Sequence, residues 1–293
     1  MRICVIFNPA ARGNKARHFR HHLSEIGGQS ALKATAAAGD ARRLAADAVK
    51  DGFDVIVAAG GDGTVHEVLN GIGDAPGGFE KARLGVLPLG TVNVFARELN
   101  MPLKMEKAWE HLLRGQERKI DLPYAEFLAT GKKVYFVQLG GAGLDVRAIE
   151  LVDFSVKKKI GPLAYVIAGL KALFEKKLQI KATANGSSYS GELVLVGNGK
   201  YYGGPFEVFP SADLCDGILD VCIFPRTDMG TLLRCAPDFL FRRKLPEKLV
   251  KRFRGPGFEL AADLAASLEL DGELVGALPV RFGVEQGRLR VMG

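Results

Sequence analysis

The sequence predicts an α/β protein in two parts, a parallel-sheet domain followed by a largely antiparallel one. Three observations carry this. Apolar runs alternate with amphipathic helical stretches from residue 2 to about 115, the pattern that builds a parallel sheet through right-handed crossovers. After Arg114-Gly115 the pattern changes to strands joined by short turns. The length of 293 residues exceeds the roughly 100–200 usual for one domain. The boundary is expected near 122, giving domains of 1–122 and 123–284, with a tail of about 285–293 returning to the first.

Residues 2–7 form a first buried strand, too short and too poorly flanked for a signal peptide. Asn8-Pro9 breaks it, and a small polar loop, Ala10 to Lys15, leads into a helix of about 14–26. Ala31 to Thr35 is a second strand. Gly39-Asp40 opens an alanine-rich helix with Asp40 as a plausible N-cap, stopped by Asp51-Gly52. Phe53 to Ala59 is a third strand, apolar on both faces as a buried parallel strand is. Leu84 to Leu89 is a fourth, followed by Gly90-Thr91-Val92-Asn93, a helix near 92–99 and another near 104–115 that carries Trp109. In the second domain, runs of 118–128 and 133–139 flank Thr130-Gly131-Lys132. Runs of 178–184 and 191–197 flank Asn185-Gly186, a strong hairpin signal. Helices are expected near 144–156, 162–176 and 228–241, and strands at 218–224, 267–271, 278–284 and 287–291.

Hydrophobic residues make up 47% and charged residues 25%, an ordinary globular balance that excludes extended disorder. A net charge of +7 attracts anions: nucleotides, acidic lipid surfaces or nucleic acid. The chain has no aromatic-flanked basic motif of the RNA-binding kind, so nucleic acid is not an expected partner. Cys4, Cys215, Cys222 and Cys235 lack C-x-x-C spacing and read as reduced thiols of a cytosolic protein. No apolar stretch reaches the 18 or so residues of a spanning helix, so membrane contact would be peripheral.

Between the third strand and its helix lies Gly60-Gly61-Asp62-Gly63-Thr64-Val65-His66-Glu67-Val68-Leu69-Asn70-Gly71. Three glycines in four residues let the backbone take positive φ and bring N–H groups close to an anion. Val65, Val68, Leu69 and Ile72 recur at helical spacing, which starts the helix near Thr64 with its N-terminus aimed at the crevice. Phosphate belongs there, with Asp62 acting through Mg²⁺ because a bare carboxylate would repel it. Gly-Asp-Gly can also be only a tight turn. Asn8-Pro9, Thr35 and Gly90-Thr91, each just after a strand of the same sheet, favour the shared crevice. His66-Glu67 has no second histidine four residues on, which excludes a zinc helix of that type.

The sequence resembles the diacylglycerol kinase catalytic-domain family, bacterial lipid kinases related to sphingosine and ceramide kinases, over nearly its whole length. The residues that carry the likeness are Asn8-Pro9, Thr35, Gly60 to Gly71, Leu87 to Asn93, Lys119 to Leu122, Gly143-Leu144-Asp145, Gly161 to Tyr165, Asn198-Gly199, Asp216 to Asp220 and Asp271-Gly272-Glu273. Gly-Gly-Asp-Gly-Thr alone is shared with NAD kinases and, more loosely, phosphofructokinases. The resemblance implies a Rossmann-like nucleotide-binding domain, a β-sandwich C-terminal domain and an active site in the cleft between them.

It further implies that ATP is surrounded by the loop Asn8-Pro9-Ala10-Ala11-Arg12, by Thr35, by Gly60 through Glu67 and by Gly90, Thr91 and Asn93. Asp271 and Glu273 would stand near the acceptor hydroxyl. From the residues alone, Leu268 to Glu273 is a strand running into a hairpin turn, and strand alternation would put both acids on one face. Asp271 is preferred as base over Glu273, with Asp62 a third candidate. Asp216 would hold a structural Mg²⁺ with main-chain oxygens of Asp213 and Ile218. Arg12 and Val94 depart from the family pattern, where glycine and aspartate are common.

Phe239 to Arg254 interleaves cations with large apolar side chains, and Lys157-Lys158-Lys159 adds a second cluster. Such a segment could dock on anionic headgroups, or be a helix packed by its apolar face with a solvated basic side. Phe206 and Phe209 could line a lipid pocket or fill core. The expected activity is an ATP- and Mg²⁺-dependent lipid kinase, cytoplasmic and peripheral on the inner face of the membrane, with diacylglycerol as first acceptor. The alternatives are another lipid acceptor (sphingoid base, ceramide or phosphatidylglycerol), a soluble kinase of NAD-kinase type, and a non-catalytic nucleotide-dependent membrane-binding module. The oligomeric state is left open, a homodimer being one option.

Overall fold

The computed structural model describes residues 1–9, 26, 28, 30–144, 146, 177–238 and 245–293. The loop Ala10 to Lys15, nearly all of the helices expected at 14–26 and 144–156, the helix expected at 162–176, the lysine cluster at 157–159 and the start of the basic segment at 239–244 lie outside the described residues.

Four parallel strands, β1 (Ile3–Phe7), β2 (Ala31–Ala34), β3 (Val55–Gly60) and β4 (Arg83–Pro88), lie in the order β2-β1-β3-β4. β3 is buried at every residue and β1 and β4 at all but one, which is why they read as unbroken apolar runs. The helices of this domain are α1 (Asp40–Lys50), α2 (Asp62–Asp74), α3 (Gly78–Lys81), α4 (Val94–Glu98) and α5 (Met105–Arg114). Val65, Val68, Leu69 and Ile72 of α2 are all buried, and Trp109 of α5 fills core.

Two helix starts differ from the sequence pattern. Gly39, not Asp40, is the N-cap of α1, in a left-handed conformation (φ 85°) that suits glycine. Asp40 folds back instead, its carboxylate accepting the Ala36 and Ala37 N–H groups at 2.8 and 3.0 Å. Helix α2 begins at Asp62 rather than Thr64, because the Gly61 carbonyl already accepts the N–H groups of Thr64 and Val65.

The rest of the chain is mostly β: β5 (Glu117–Phe127), β6 (Lys133–Tyr135), β7 (Leu139–Gly143), β8 (Ile180–Ala184), β9 (Ser187–Gly191), β10 (Leu193–Gly197), the small pair β11 (Tyr201–Tyr202) and β12 (Phe206–Glu207), and β13 (Leu219–Phe224). Then come α6 (Met229–Pro237), β14 (Lys251–Gly255), β15 (Gly257–Ala262), β16 (Ser267–Leu270), β17 (Glu273–Ala277) and β18 (Val280–Met292). One antiparallel sheet has the order β14-β13-β10-β7-β16-β17. The other continues the parallel sheet, β4-β18-β15-β8-β9, with β5 also on β18. Val196, Val221, Leu268, Phe136, Phe258 and Phe282 are buried in the core of this sandwich, the last two rings stacked at 5.0 Å.

Strand β18 joins the domains. It pairs antiparallel with β5 and β15, and its end, Val291-Met292, pairs parallel with Leu84-Gly85 of β4. The two runs expected at 278–284 and 287–291 are this single strand, offset by a bulge where Gly287 takes φ 61°.

Two further expectations are corrected. The hairpin partner of β8 is β9, not the 191–197 run. Asn185 and Gly186, at φ 48° and 76°, make a two-residue turn that sets Ser187 opposite Ala184. The apolar run forms β10 in the other sheet. The end of the basic segment is strand β14, not helix, since β13 offers Ile223 through Leu219 as its ladder partner. Phe209 is fully buried, and all four cysteines are free.

Candidate active site

The carboxyl ends of the four parallel strands are tied side by side. The Thr35 N–H donates to the Phe7 carbonyl at 3.0 Å, that of Asn8 to Ala59 at 3.2 Å, and those of Leu89 and Gly90 to Gly60 at 2.9 and 3.1 Å. Thr35, Asn8, Gly60 and Gly90 therefore line one edge, where open parallel sheets take ligands.

Gly60, Gly61 and Gly63 have ordinary negative or extended backbone angles, so the expected positive φ is not their reason. Their lack of a side chain is. A Cβ on Gly60 would strike the Thr64 side chain, one on Gly61 would come within 3.3 Å of the Gly90 Cα, and one on Gly63 would strike the Glu273 carboxylate. Gly61, the N-cap of α2, is extended (φ −93°, ψ −170°) and has no side chain with which to cap it. The N–H groups of the first turn of this 13-residue helix favour an anion.

Asp62, in that first turn, accepts the Phe95 N–H of α4 at 3.3 Å. Burial pushes its carboxyl up to about 6 against the pull of that N–H, and the negative charge of Asp271 adds to the rise. The Gly90–Asn93 turn beside it is closed by Asn93 itself. At φ 54° and 3% exposure, its side chain accepts the Gly90 N–H at 2.9 Å and donates to the Gly90 carbonyl at 2.8 Å. Thr91 is exposed at the tip.

The second domain meets α2 through its β16–β17 hairpin. Leu270 pairs with Glu273, so Asp271-Gly272 is a two-residue turn with φ 51° and 90°. Strand alternation therefore fails at this point, and the two acids do not share a face. Asp271 turns inward at 6% exposure, accepting N–H groups from Val137 (2.9 Å), Gln138 (2.9 Å) and Leu139 (3.2 Å). Glu273 is exposed to the cleft and stands over Gly63. His66, one turn further along α2, points Nδ1 at the Asp271 carboxylate from 3.5 Å. Asn70, a turn beyond, is 2% exposed and pairs with Tyr135 of β6.

Comparison with known proteins now decides the family. A model described as the diacylglycerol kinase catalytic domain matches residues 2–125, and one described as the YegS C-terminal NAD kinase beta sandwich-like domain matches 139–293. A Pseudomonas aeruginosa (strain UCBPP-PA14) protein named "Probable lipid kinase YegS-like" is 36% identical over 275 residues, 91% of this chain and 85% of that one. A Bacillus subtilis (strain 168) diacylglycerol kinase is 30% identical over 289 residues, 95% of this chain and 91% of that one. The chain belongs to the diacylglycerol kinase catalytic-domain family. Its fold is that of a crystal structure described as a diacylglycerol kinase from Bacillus anthracis str. Sterne, with TM-score 0.79 at 23% identity, covering 99% of this chain and 96% of that chain.

Within this lipid kinase family architecture, the sequence-derived nucleotide residues divide. Thr35, Asn8, Gly60, Gly61, Asp62, Gly63, Thr64 and Gly90 gather at the crevice, with Pro9 and Thr91 exposed at its rim. Val65 and His66 are buried behind it. Glu67 faces the other way, its carboxylate accepting the Gly39 and Ala41 N–H groups at 2.8 and 3.0 Å and so holding the start of α1. Asn93 closes its own turn. Ala10, Ala11 and Arg12 lie outside the described residues. Val94 is buried in α4.

Two cation sites were expected, and the residues fit one. Asp62 brings a hard carboxylate oxygen to the first turn of α2, a donor that would suit Mg²⁺ shared with phosphate oxygens. Among the described residues no group of three or more His, Cys, Asp or Glu side chains is gathered for a metal. At the expected structural site the Asp216 carboxylate is engaged otherwise. Asp216 accepts the Ile218 N–H at 3.0 Å and pairs with Arg254 at 2.6 Å, Arg254 also bonds Asp220 at 3.0 Å and the Ser211 carbonyl at 3.0 Å, and Asp213 accepts the Cys215 N–H at 3.0 Å. Arg254 supplies the positive charge there, so we assign that loop no ion.

Sequence reasoning assigned no role to the contacts that lock the two domains. Glu98 of α4 accepts from Lys200 N–H (2.8 Å), Tyr201 N–H (3.2 Å) and the Gln138 amide (2.9 Å). Within the second domain, Asn198 donates to the Val137 carbonyl at 2.9 Å, beside the Gln138 that meets Glu98. The only sequence signals were Asn-Gly pairs at 70–71 and 198–199.

Proposed function

We propose that the chain is an ATP- and Mg²⁺-dependent lipid kinase that transfers the γ-phosphoryl group to a primary hydroxyl, with diacylglycerol as the first candidate acceptor. The observation that carries this reading is the Glu273 carboxylate of the second domain standing over Gly63, at the N-terminus of α2. An anion-receptive helix end and a cleft-exposed carboxylate face each other across the domain junction, as transfer between a nucleotide and a hydroxyl requires.

In this reading the N–H groups of the first α2 turn receive the phosphates. Asp62 holds Mg²⁺, which when bound neutralises charge on the phosphate oxygens. Glu273 takes the proton of the acceptor hydroxyl as its oxygen attacks the γ-phosphorus, and ADP leaves with the bridging oxygen. Asp271 braces the turn that carries Glu273. We assign the base to Glu273 rather than Asp271, because the oxygens of Asp271 already accept three main-chain donors. Phosphoryl transfer asks the protein chiefly for positioning and charge neutralisation, which glycines, carboxylates and helix ends supply.

The acceptor is reached peripherally, from the cytoplasmic face of an anionic membrane. Among the described residues no helix is long and apolar enough to cross a bilayer. The charge of +7 favours anionic headgroups, each nearby Lys or Arg contributing on the order of 1 kcal/mol. Helix α6 also exposes Met229 and Leu233, at 40% and 64%.

The test is incubation of pure protein with labelled ATP, Mg²⁺ and vesicles carrying diacylglycerol, ceramide, a sphingoid base or phosphatidylglycerol, with NAD as a soluble comparator. Labelled phosphatidic acid is expected. Label in NAD, or in no acceptor at all, would overturn the proposal.

A further inference from the structure

Helix α2 is connected back to its own first turn by an unbroken series of contacts through the second domain. It starts at Asn70, on the His66 side of the helix, where Nδ2 donates to the His66 carbonyl at 2.9 Å. The same amide makes a two-bond clasp with the Tyr135 main chain, Nδ2 donating to its carbonyl and Oδ1 accepting its N–H, each at 2.9 Å. A primary amide offers a donor and an acceptor on one planar end, so it matches a peptide unit as a neighbouring strand would.

Two residues beyond Tyr135, the N–H groups of Val137, Gln138 and Leu139 converge on Asp271, whose own N–H donates back to the Leu139 carbonyl at 2.9 Å. Asp271 holds the left-handed first position of the turn, and Gly272 the second. The next residue is Glu273, over Gly63 in the first turn of α2. The path thus begins and ends on one helix, and Asn70 ties its far end to α2 through two direct hydrogen bonds.

We propose that Asn70 is a positioning residue for the acceptor half of the site: by clasping Tyr135 it sets segment 135–139, hence Asp271, hence the Glu273 carboxylate above the phosphate-binding turn. This rests on the reading of Glu273 as the group that acts on the acceptor hydroxyl. Asn70 touches neither nucleotide nor acceptor. Its side chain is buried behind the helix, and its effect is on turnover rather than on ATP affinity. His66 is a weaker link in the same path, since its Nδ1 makes no hydrogen bond at 3.5 Å from Asp271.

The test combines Asn70→Ala, Asn70→Asp, Glu273→Gln and the double variant Asn70→Asp/Glu273→Gln in the full chain. Asn70→Asp is nearly isosteric and keeps the acceptor for the Tyr135 N–H while losing the donor, so it guards against a misfolded Asn70→Ala. Turnover is measured with labelled ATP and diacylglycerol vesicles, ATP affinity by equilibrium titration, and main-chain mobility by amide hydrogen exchange. We expect Asn70→Asp to lower kcat at least ten-fold with KM for ATP and lipid within three-fold of the parent. Exchange should quicken at 137–139 and 272–274 and stay unchanged at 64–68. The double variant should be no slower than Glu273→Gln alone, since a positioning residue has nothing left to position. Parental kcat in both Asn70 variants, a loss that multiplies with that of Glu273→Gln, or a matching loss of ATP affinity would overturn the proposal. Parental turnover in Glu273→Gln would instead remove the reading of Glu273, and the claim for Asn70 would then be decided by exchange at 272–274: unchanged rates refute it, faster rates support it.

Discussion

The carboxylate of Asp271 accepts the main-chain N–H of Val137 at 2.9 Å, 134 residues away in sequence. Gln138 and Leu139 donate to the same side chain, so one acid organises a buried strand entry of the second domain. Asp271→Asn keeps the shape but puts an NH₂ against main-chain donors. It should destabilise the protein by about 2–4 kcal/mol, the cost of leaving buried groups mispaired. Urea unfolding measures this, and kcat per folded molecule should fall as well, because Asp271 braces the turn that carries Glu273.

Glu273 predicts a loss of turnover with no loss of stability. Glu273→Gln should lower turnover at least 100-fold, within the range for a lost general base, while the urea midpoint stays unchanged. Stability and activity measured on the same preparation separate the two acids.

Gly63→Ala isolates the contact between them and α2. The added methyl meets the end of a flexible glutamate, not backbone, and alanine suits a helix better by roughly 1 kcal/mol. We expect stability equal to or above the parent and kcat at least ten-fold lower, checked by thermal unfolding beside the labelled-ATP assay. Unchanged turnover would show that the place of Glu273 over Gly63 does not matter.

The raised pKa of Asp62 gives a pH signature. Its folded value of about 6 lies above the unfolded 3.8. The stabilisation it lends is therefore fully present below pH 3.8 and lost as pH rises through about 6. Above that the ionised, buried carboxylate costs at most about 3 kcal/mol. Asp62→Asn, which keeps the acceptor for the Phe95 N–H, should raise Tm at pH 8 and change it little at pH 4. Mg²⁺ with nucleotide should narrow the gap at pH 8 for the parent alone.

Arg254 should replace a structural ion. Thermal unfolding without nucleotide should be the same in Mg²⁺ and in EDTA. Arg254→Gln should lower stability by roughly 1–2 kcal/mol, more than an exposed pair gives, because Asp220 is largely buried beside it. A parent that melts earlier in EDTA would return the ion to the Asp216 loop.

Much of the first domain was legible because its strands are buried on both faces and its helices carry a clear apolar stripe. β3 and α2, with the glycine turn between them, follow directly from Val55 to Ile72. The second domain was harder. β7 is Leu-Gly-Gly-Ala-Gly, with no strand-like side chains, and is a strand because β10 and β16 close on it from both sides. β14 reads as an amphipathic basic segment until Asp216 and Asp220 are seen beside Arg254. The motif residues of the site were visible, but their division of labour was not. Glu67, Asn93 and Asp271 are polar residues in motif positions whose partners are main-chain groups, and a sequence does not show where main-chain groups point. The two-residue turn at Asp271-Gly272 is the sharpest case, since it parts two acids that strand alternation would have set together.

The central claim is that Glu273, brought over α2 by the second domain, acts on a lipid hydroxyl while the glycine turn holds the nucleotide. It is tested most directly by phosphoryl transfer from labelled ATP to diacylglycerol vesicles, comparing the parent with Glu273→Gln at equal ATP affinity and equal Tm. The account predicts labelled phosphatidic acid from the parent and at least 100-fold less from the variant. Equal labelling by the two proteins, or no labelled lipid from the parent, would contradict it.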